Sequence, residues 1–224
     1  MKAMILAAGI GSRLGEITRS KPKCLVEVRG KTLLEHVFDR LKAIGVSYVV
    51  INVHHFSDQV RAFIESRRNF GIEVHFSQEP ELLETGGGIY KALPLLGDKP
   101  FLVISSDIIT AYPLAKLTHN STTYKDHHAL AHVIMVNNPS YHTTGDFYYY
   151  DGKLTTTPGK TLTYGNIGVY QPELFKLIPA LPQVFPLRLL LDAAIAQNRV
   201  TAEHYTGLWD NLGTLEQLAK WAVL

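Results

Sequence analysis

Near the start of the chain, a glycine-rich turn carries positive charge: Leu6-Ala7-Ala8-Gly9-Ile10-Gly11-Ser12-Arg13-Leu14-Gly15, followed by Lys21-Pro22-Lys23. Glycines at 9, 11 and 15 let the backbone bend tightly and bring bare amides against a phosphate chain, while Arg13 and Lys23 supply cations. Such a turn is common in α/β nucleotide-binding folds, and its spacing matches neither of two well-defined ones. A dinucleotide turn needs G-x-G-x-x-G, but Leu14 stands at the third glycine, which also argues against an oxidoreductase. A P-loop fails as well, because the fifth residue after Gly9 is Leu14 and Gly15 is followed by Glu16. A second candidate is Asp107, which ends the apolar run Phe101-Leu102-Val103-Ile104-Ser105-Ser106. A carboxylate at the carboxyl end of a buried strand sits where open α/β sheets bind ligands; the plainer alternative is a cap for the following turn. A third is Glu84-Thr85-Gly86-Gly87-Gly88, where consecutive glycines ahead of a helix allow close approach of a flat ligand beside an anion-favouring helix start. A surface turn is the competing reading. The ten histidines include His54-His55 and His127-His128, neither with the i,i+4 spacing of a metal pair, so a structural role is expected for both.

These residues need strands and helices to hold them. Residues 2–7 read as a first strand, and Leu33, Leu34, Val37, Leu41 and Ile44 recur at helical spacing up to Gly45. Tyr48 to Val53 is a β-branched strand, Val60, Phe63 and Ile64 mark a second helix, and Ile72 to Phe76 alternates like a strand. A third helix is expected after Gly88, ending near Pro94, followed by the strand from Phe101 to Ile104. Strands alternating with helices argue for parallel pairing with helices on both faces. The second half is less regular. Leu130 to Val136 reads as a strand, and residues 146–155 as a hairpin turning at Asp151-Gly152. Gly165 to Tyr170 and Thr201 to Tyr205 are further strands. Glu173 to Ile178, Leu187 to Ala196 and Thr214 to Ala222 are helices, Glu173 being an exposed acid at a helix start. The expected fold is α/β: a Rossmann-like mixed, mainly parallel sheet with helices on both faces. A small β-rich insert at roughly 128–170 should fold over the strand ends of a single 1–224 domain.

A chain of 224 residues is long enough to bury a sizeable core. A net charge of +2 with 19% charged residues gives no basic field, so nucleic acid is not an expected partner. Cys24 is the only cysteine, which excludes an intramolecular disulfide and a cysteine zinc cluster. The initial apolar run is too short for a signal peptide, and no stretch approaches the ~18 apolar residues of a membrane span. A soluble, cytoplasmic protein is expected, monomeric or homodimeric.

The Leu-Ala-Ala-Gly run, the following Gly-Ser-Arg and the Pro-Lys pair together resemble the loop of the sugar-nucleotide pyrophosphorylases, the nucleotidyltransferase family that makes nucleoside-diphospho-sugars. Residues 1–9, Leu83 to Ile89, Lys91 to Asp98 and Gly145-Asp146-Phe147 extend the resemblance along the chain, towards its short uridylyltransferases. The resemblance implies transfer of a nucleotidyl group from a nucleoside triphosphate, UTP, to a sugar 1-phosphate, with N-acetylmuramate 1-phosphate the expected acceptor. Mannose 1-phosphate guanylyl transfer and phosphocholine cytidylyl transfer are alternatives within the family. It implies that Ala7, Ala8, Gly9, Gly11, Ser12, Arg13 and Lys23 bind the triphosphate, with Glu84 or the backbone of Gly86 and Gly87 reading the base. Arg13, Lys23 and Asp107 become the catalytic set, because two anionic reactants need neutralising and no protein nucleophile is required.

The same resemblance makes Asp107 a magnesium ligand; Mg2+ takes hard oxygen donors and only one or two protein carboxylates beside triphosphate. Counting back from Gly213-Thr214 in the family's closing tryptophan, aspartate and Gly-Thr motif places the second metal ligand on Asn211, which offers a carbonyl oxygen without charge. Asp210 is its alternative, and Trp209 is expected to pack the last helix. Ser105, Asp146, Asn166 and Arg188 are implied sugar-phosphate contacts. Asp146 and Asn166 read equally well as turn residues, and Arg188 replaces a lysine that many members carry where this chain has Phe185. Pro-Lys-Pro becomes Pro22-Lys23-Cys24, and a later loop proline becomes Glu27, a less rigid loop. Hexapeptide repeats, and hence the acyl-transferring domain of some members, are not expected. Asn211 and Phe185 also motivate a different reading, a non-catalytic nucleotide-sensing protein.

Overall fold

The computed structural model describes residues 1–118 and 128–222; His127 lies outside them. The chain opens with β1 (Ala3–Leu6), then a short hairpin of β2 (Glu27–Val28) and β3 (Lys31–Thr32), α1 (Leu33–Ala43), β4 (Tyr48–Val53), α2 (Ser57–Ser66) and β5 (Glu73–Gln78). Next come α3 (Glu84–Leu96), β6 (Phe101–Ser105), β7 (Ile108–Thr110), β8 (Ala131–Val136), β9 (Phe147–Tyr150), β10 (Lys153–Thr155) and β11 (Thr161–Tyr170). The described chain closes with α4 (Leu187–Ala196), β12 (Val200–Tyr205), β13 (Trp209–Asn211) and α5 (Leu215–Ala222).

Nine strands form one sheet in the order β5-β4-β1-β6-β11-β8-β12-β10-β9, and β9 also pairs with β11. The first four are mutually parallel, β8 and β12 are parallel to each other, and the remaining pairings are antiparallel. Alternate residues face opposite sides of a strand, and the core divides accordingly. Met4, Val50 and Val103 pack with Ile89 and Ala92 of α3 and with Leu190, Leu191 and Ala194 of α4. Ala3, Ile5, Val49, Ile51, Leu102 and Ile104 pack with Leu34, Val37, Phe38 and Leu41 of α1 and with Val60 and Ile64 of α2. Helix α1 starts where expected because Thr32 and Glu35 complete a capping box. From β1 the chain runs outward through β4 to β5, then returns to β6 on the other side of β1. The strand order reverses there, which opens a crevice at the carboxyl ends of β1 and β6.

Two expectations change. The β-rich stretch does not fold over the strand ends; its strands pair directly into the sheet and form its far half. The third helix begins at Glu84, so the three glycines lie inside it, and it runs past Pro94 to Leu96. Glycine is needed at these helical positions because neighbours crowd them. A Cβ on Gly86 would lie 2.5 Å from the Phe185 ring, one on Gly87 2.4 Å from the Gln183 carbonyl, and one on Gly88 2.6 Å from Glu79 Oε1. Packing of this density offsets the ~1 kcal/mol per residue by which glycine disfavours a helix. Pro94 removes one internal hydrogen bond, and the helix stops only at Gly97, whose φ of 87° is left-handed.

Candidate active site

The loop after β1 is built on glycine. Gly11 has φ 70° and Gly15 has φ 55°, conformations other residues adopt at a cost. At Gly11 a Cβ would also lie 3.0 Å from Lys23 Cβ, so the loop and the lysine approach closely only because Gly11 is bare. Thr18 Oγ1 and the Leu14 N–H both donate to the Gly11 carbonyl. Leu14 is fully buried in a separate apolar cluster with Val26, Val28 and Leu33 and with Leu212, Leu218 and Trp221. The loop is thus fixed from below by α5.

Lys23 is largely buried, and its Nζ lies 2.5 Å from Asp107 Oδ2. Asp107 stands two residues past β6, where its carbonyl accepts from the Leu212 N–H at 2.7 Å, and pairing of β7 with β13 sets Asn211 opposite Ile108. This short ladder brings the two candidate metal ligands onto neighbouring strands. Beneath them Cys24 is fully buried; burial, with a smaller contribution from the Asp107 charge, pushes its thiol up to about 12.

One cavity opens on the Lys23–Asp107 pair, and a second adjoins it through Leu6, Arg13 and Thr85. The first, of about 380 Å³, is lined by Ala7, Ala8, Gly9, Gly11, Ser12, Arg13, Lys23, Glu84, Ser105 and Asp107 among others. Glu84 holds φ 59°, a strained conformation for a side-chain-bearing residue at the cavity wall. Gly86 and Gly87 do not line it: both N–H groups donate to the Phe185 carbonyl at 3.0 Å. The flat surface that Gly86 admits is the Phe185 ring of this chain. Ser105, expected on the sugar phosphate, also lines this first cavity and not the second.

The second cavity, of about 370 Å³, is lined by Arg13, Asp146, Asn166, Arg188 and Asn211, together with Tyr141, His142 and Trp209. Asn166 has φ 57° within a register shift of β11 between Tyr164 and Gly168, so the interruption of the ladder turns it out of the strand. Trp209 does not pack the last helix; its Nε1 donates to the Gly165 carbonyl at 2.9 Å and steadies that interruption. Asp146 accepts from the Tyr164 N–H at 2.8 Å, and His142 Nε2 lies 3.0 Å from its other oxygen.

Asn211 and Asp210 differ sharply. Asp210 is buried and takes Trp221 Nε1 at 2.9 Å, its neighbour Asn211 N–H at 3.0 Å, and Lys220 Nζ and the Tyr141 hydroxyl at 3.3 Å each. Burial, then the Asp210 charge, pushes the Tyr141 phenol up to about 12, so it remains a donor. Asn211 Oδ1, by contrast, is buried with no hydrogen-bond partner among the described residues. A buried carbonyl oxygen left unmatched is costly. It and the Asp107 carboxylate are hard-oxygen donors of the kind a divalent cation takes beside water and phosphate. Among the described residues no group of three or more His, Cys, Asp or Glu is placed to hold a metal, and His54 Nδ1 is 2.9 Å from the Glu79 carbonyl.

Asn52 and Glu79, which no sequence motif marks, are both almost fully buried at the floor of the first cavity. Asn52 Oδ1 accepts from the Ala7 N–H at 2.8 Å, its Nδ2 donates to Glu79 Oε1 at 2.7 Å, and Glu79 Oε2 accepts from the Leu83 N–H at 3.2 Å. This chain ties the end of β1 to the start of α3. The available signal was an asparagine inside the otherwise apolar run Tyr48 to Val53.

A switch-point crevice with a glycine loop, a lysine–aspartate pair and two adjoining cavities defines a nucleotidyl-transferring enzyme fold. The chain belongs to the nucleotidyl transferase family, whose model matches residues 2–143. Members act on nucleotides and sugar phosphates and generally use a divalent metal. Over 97% of its length the chain is 37% identical to an N-acetylmuramate alpha-1-phosphate uridylyltransferase of Neisseria meningitidis, covering 95% of that protein. A protein of the same name from Caulobacter vibrioides is 34% identical over 94% of the chain and 91% of its own length. A solved chain assigned as a glucose-1-phosphate thymidylyltransferase from Bacillus anthracis, in complex with a sucrose, superposes with a TM-score of 0.87 at 20% identity. That likeness covers 100% of this chain and 94% of the other, and it shows the shared fold. No described helix is long and apolar enough to cross a membrane.

Proposed function

We propose that this enzyme transfers the uridylyl group of UTP to N-acetylmuramate 1-phosphate, in the cytoplasm and in the recycling of cell-wall sugar. A phosphate oxygen of the sugar phosphate attacks the α-phosphorus, the bond to the β-phosphate oxygen breaks, and pyrophosphate leaves. The observation that carries this reading is the shared edge of the two cavities. Leu6, Arg13 and Thr85 line both, and Lys23 and Asp107 stand on the first beside that edge. Two anionic substrates lying one in each cavity would meet at cations.

In this reading residues 1–224 act as one domain, with the 128–170 strands supplying the sugar side. Amides of residues 7–12 hold the triphosphate, and Arg13 bridges donor and acceptor phosphates. Lys23 neutralises charge on the α-phosphate, while Glu84 and the buried Asn52–Glu79 pair shape the end of the cavity that takes the base. Asp146 and Asn166 hold the sugar. Asp107 and Asn211 would hold Mg2+, which supplies charge neutralisation for the phosphates. The test is pyrophosphate release from purified protein with Mg2+, each of the four ribonucleoside triphosphates and a panel of sugar 1-phosphates and phosphocholine. The expected result is selective release with UTP and N-acetylmuramate 1-phosphate. Release with GTP and mannose 1-phosphate, or CTP and phosphocholine, would move the enzyme to another branch of the family. Nucleotide binding without release under any pairing would replace the reading with that of a nucleotide sensor.

A further inference from the structure

We propose that Arg188 and the cavity beyond it form a subsite for a carboxylate carried on the acceptor sugar opposite its phosphate; the inference rests on the sugar-phosphate reading above. The second cavity has two separate edges. One is shared with the first cavity through Leu6, Arg13 and Thr85. The other is shared with a third cavity, of about 440 Å³, through Asp146, Phe147 and Arg188. No residue belongs to both edges. An acceptor phosphate must lie at the Arg13 edge to reach the nucleotide, so substituents on the far side of the ring reach the Arg188 edge.

At that edge the guanidinium lies 4.8 Å from the centre of the Phe147 ring, within reach of a cation–π attraction. Its Nε meets Asp192 at a long 3.4 Å, with both side chains about half exposed, and its two Nη groups have no partner among the described residues. A planar fork with its Nη edge open is shaped for bidentate pairing with a carboxylate. Asp146, the other carboxylate at this edge, is already engaged through both oxygens, by His142 and by the Tyr164 N–H. Beyond Arg188 the third cavity is walled by Thr155, Thr156 and Asp192 and gives an arm on the sugar a polar place to lie, with the Asp192 carboxylate on the Nε side of Arg188. The lactyl ether on C3 of N-acetylmuramate is such an arm and ends in a carboxylate; N-acetylglucosamine lacks it.

The experiment compares N-acetylmuramate 1-phosphate with N-acetylglucosamine 1-phosphate on the wild-type enzyme, Arg188→Gln and Arg188→Lys. It reads kcat/KM with UTP and Mg2+, and the dissociation constant of each sugar phosphate by calorimetry. The wild type is expected to prefer the acidic sugar, and Arg188→Gln to lower that preference about 10- to 100-fold, as for loss of a charge-assisted pair. Arg188→Lys should restore part of it, and KM for UTP should not move. An equal loss for both sugars would place Arg188 on the phosphate, and an unchanged preference would remove it from recognition; either overturns the proposal. Turnover of neither sugar by the wild type would defeat the functional reading, while the two dissociation constants would still decide the role of Arg188.

Discussion

The parallel half of the sheet, β5-β4-β1-β6, and the mixed half, β11-β8-β12-β10-β9, each wall one cavity with a different part of the chain. In the parallel half the cavity-lining groups sit where strands end: residues 7–13 follow β1, and Ser105 to Asp107 follow β6. In the mixed half Asn166 sits inside β11, exposed by a register shift, and Asp146 just before β9 is held by a β11 amide. Strand ends offer backbone amides, which suit a phosphate chain common to every triphosphate. Individual side chains at an interruption suit a particular sugar. In the proposed reaction the parallel half would serve the chemistry and the mixed half the choice of sugar, with Arg13 common to both cavities.

Lys23→Ala gives the sharpest test of that division. Turnover should fall by about 10²–10³-fold or more, as for loss of a preorganised group that stabilises transition-state charge, while circular dichroism shows a folded protein. Unchanged pyrophosphate release would take the chemistry away from the parallel half. Gly87→Ala comes next and probes the junction of α3 with residues 183–185. Its Cβ would lie 2.4 Å from a backbone carbonyl, so urea unfolding should report a loss of roughly 2–3 kcal/mol. A neutral result would show that the junction yields easily.

Asn166→Ala acts on the mixed half alone. KM for the sugar phosphate should rise about tenfold, with KM for UTP constant, and stability should fall by about 1 kcal/mol because φ 57° disfavours alanine. Asn166→Gly should recover the stability and leave KM high; recovery of both would reduce Asn166 to a turn residue. The last test concerns acid. His132 of β8 is held down to about 4 by burial, partly opposed by the Glu203 charge. Its folded pKa lies below its unfolded value, so the unfolded chain binds the extra proton first. The stability it contributes is present above about pH 6.5 and is lost as pH falls towards 4. Urea midpoints at pH 7.5 and 5 should differ less in His132→Gln than in the wild type.

The same division explains what could be read in advance. The helices Leu33–Ala43 and Leu187–Ala196 and the strand Tyr48–Val53 fall where their apolar patterns place them, because each helix buries one face and the strand buries both. The Asp151-Gly152 turn also forms as its residues dictate, both at positive φ. The triple glycine misled because composition cannot distinguish room for a ligand from room for Phe185. Residues 128–170 were misplaced because short strands carry no mark of which distant strand they join. Asn52 and Glu79 escaped notice for a related reason: their meaning lies in each other, 27 positions apart. Arg13, Lys23 and Asp107 were legible as candidates because cations in a glycine loop and a carboxylate at a strand end stand out by type and position, and the structure brings all three to the first cavity.

Trp221 of α5 reaches the loop of Leu14 from roughly 200 residues later in the chain, and its indole nitrogen also secures Asp210. Contacts so distant in sequence form late, because the intervening chain must be ordered first. During synthesis, β1 and its glycine turn leave the ribosome long before the helix that floors them. The glycine loop therefore stays unset until α5 has been made, and a chain that stopped short of α5 would carry Arg13 and Lys23 on a loop without its floor.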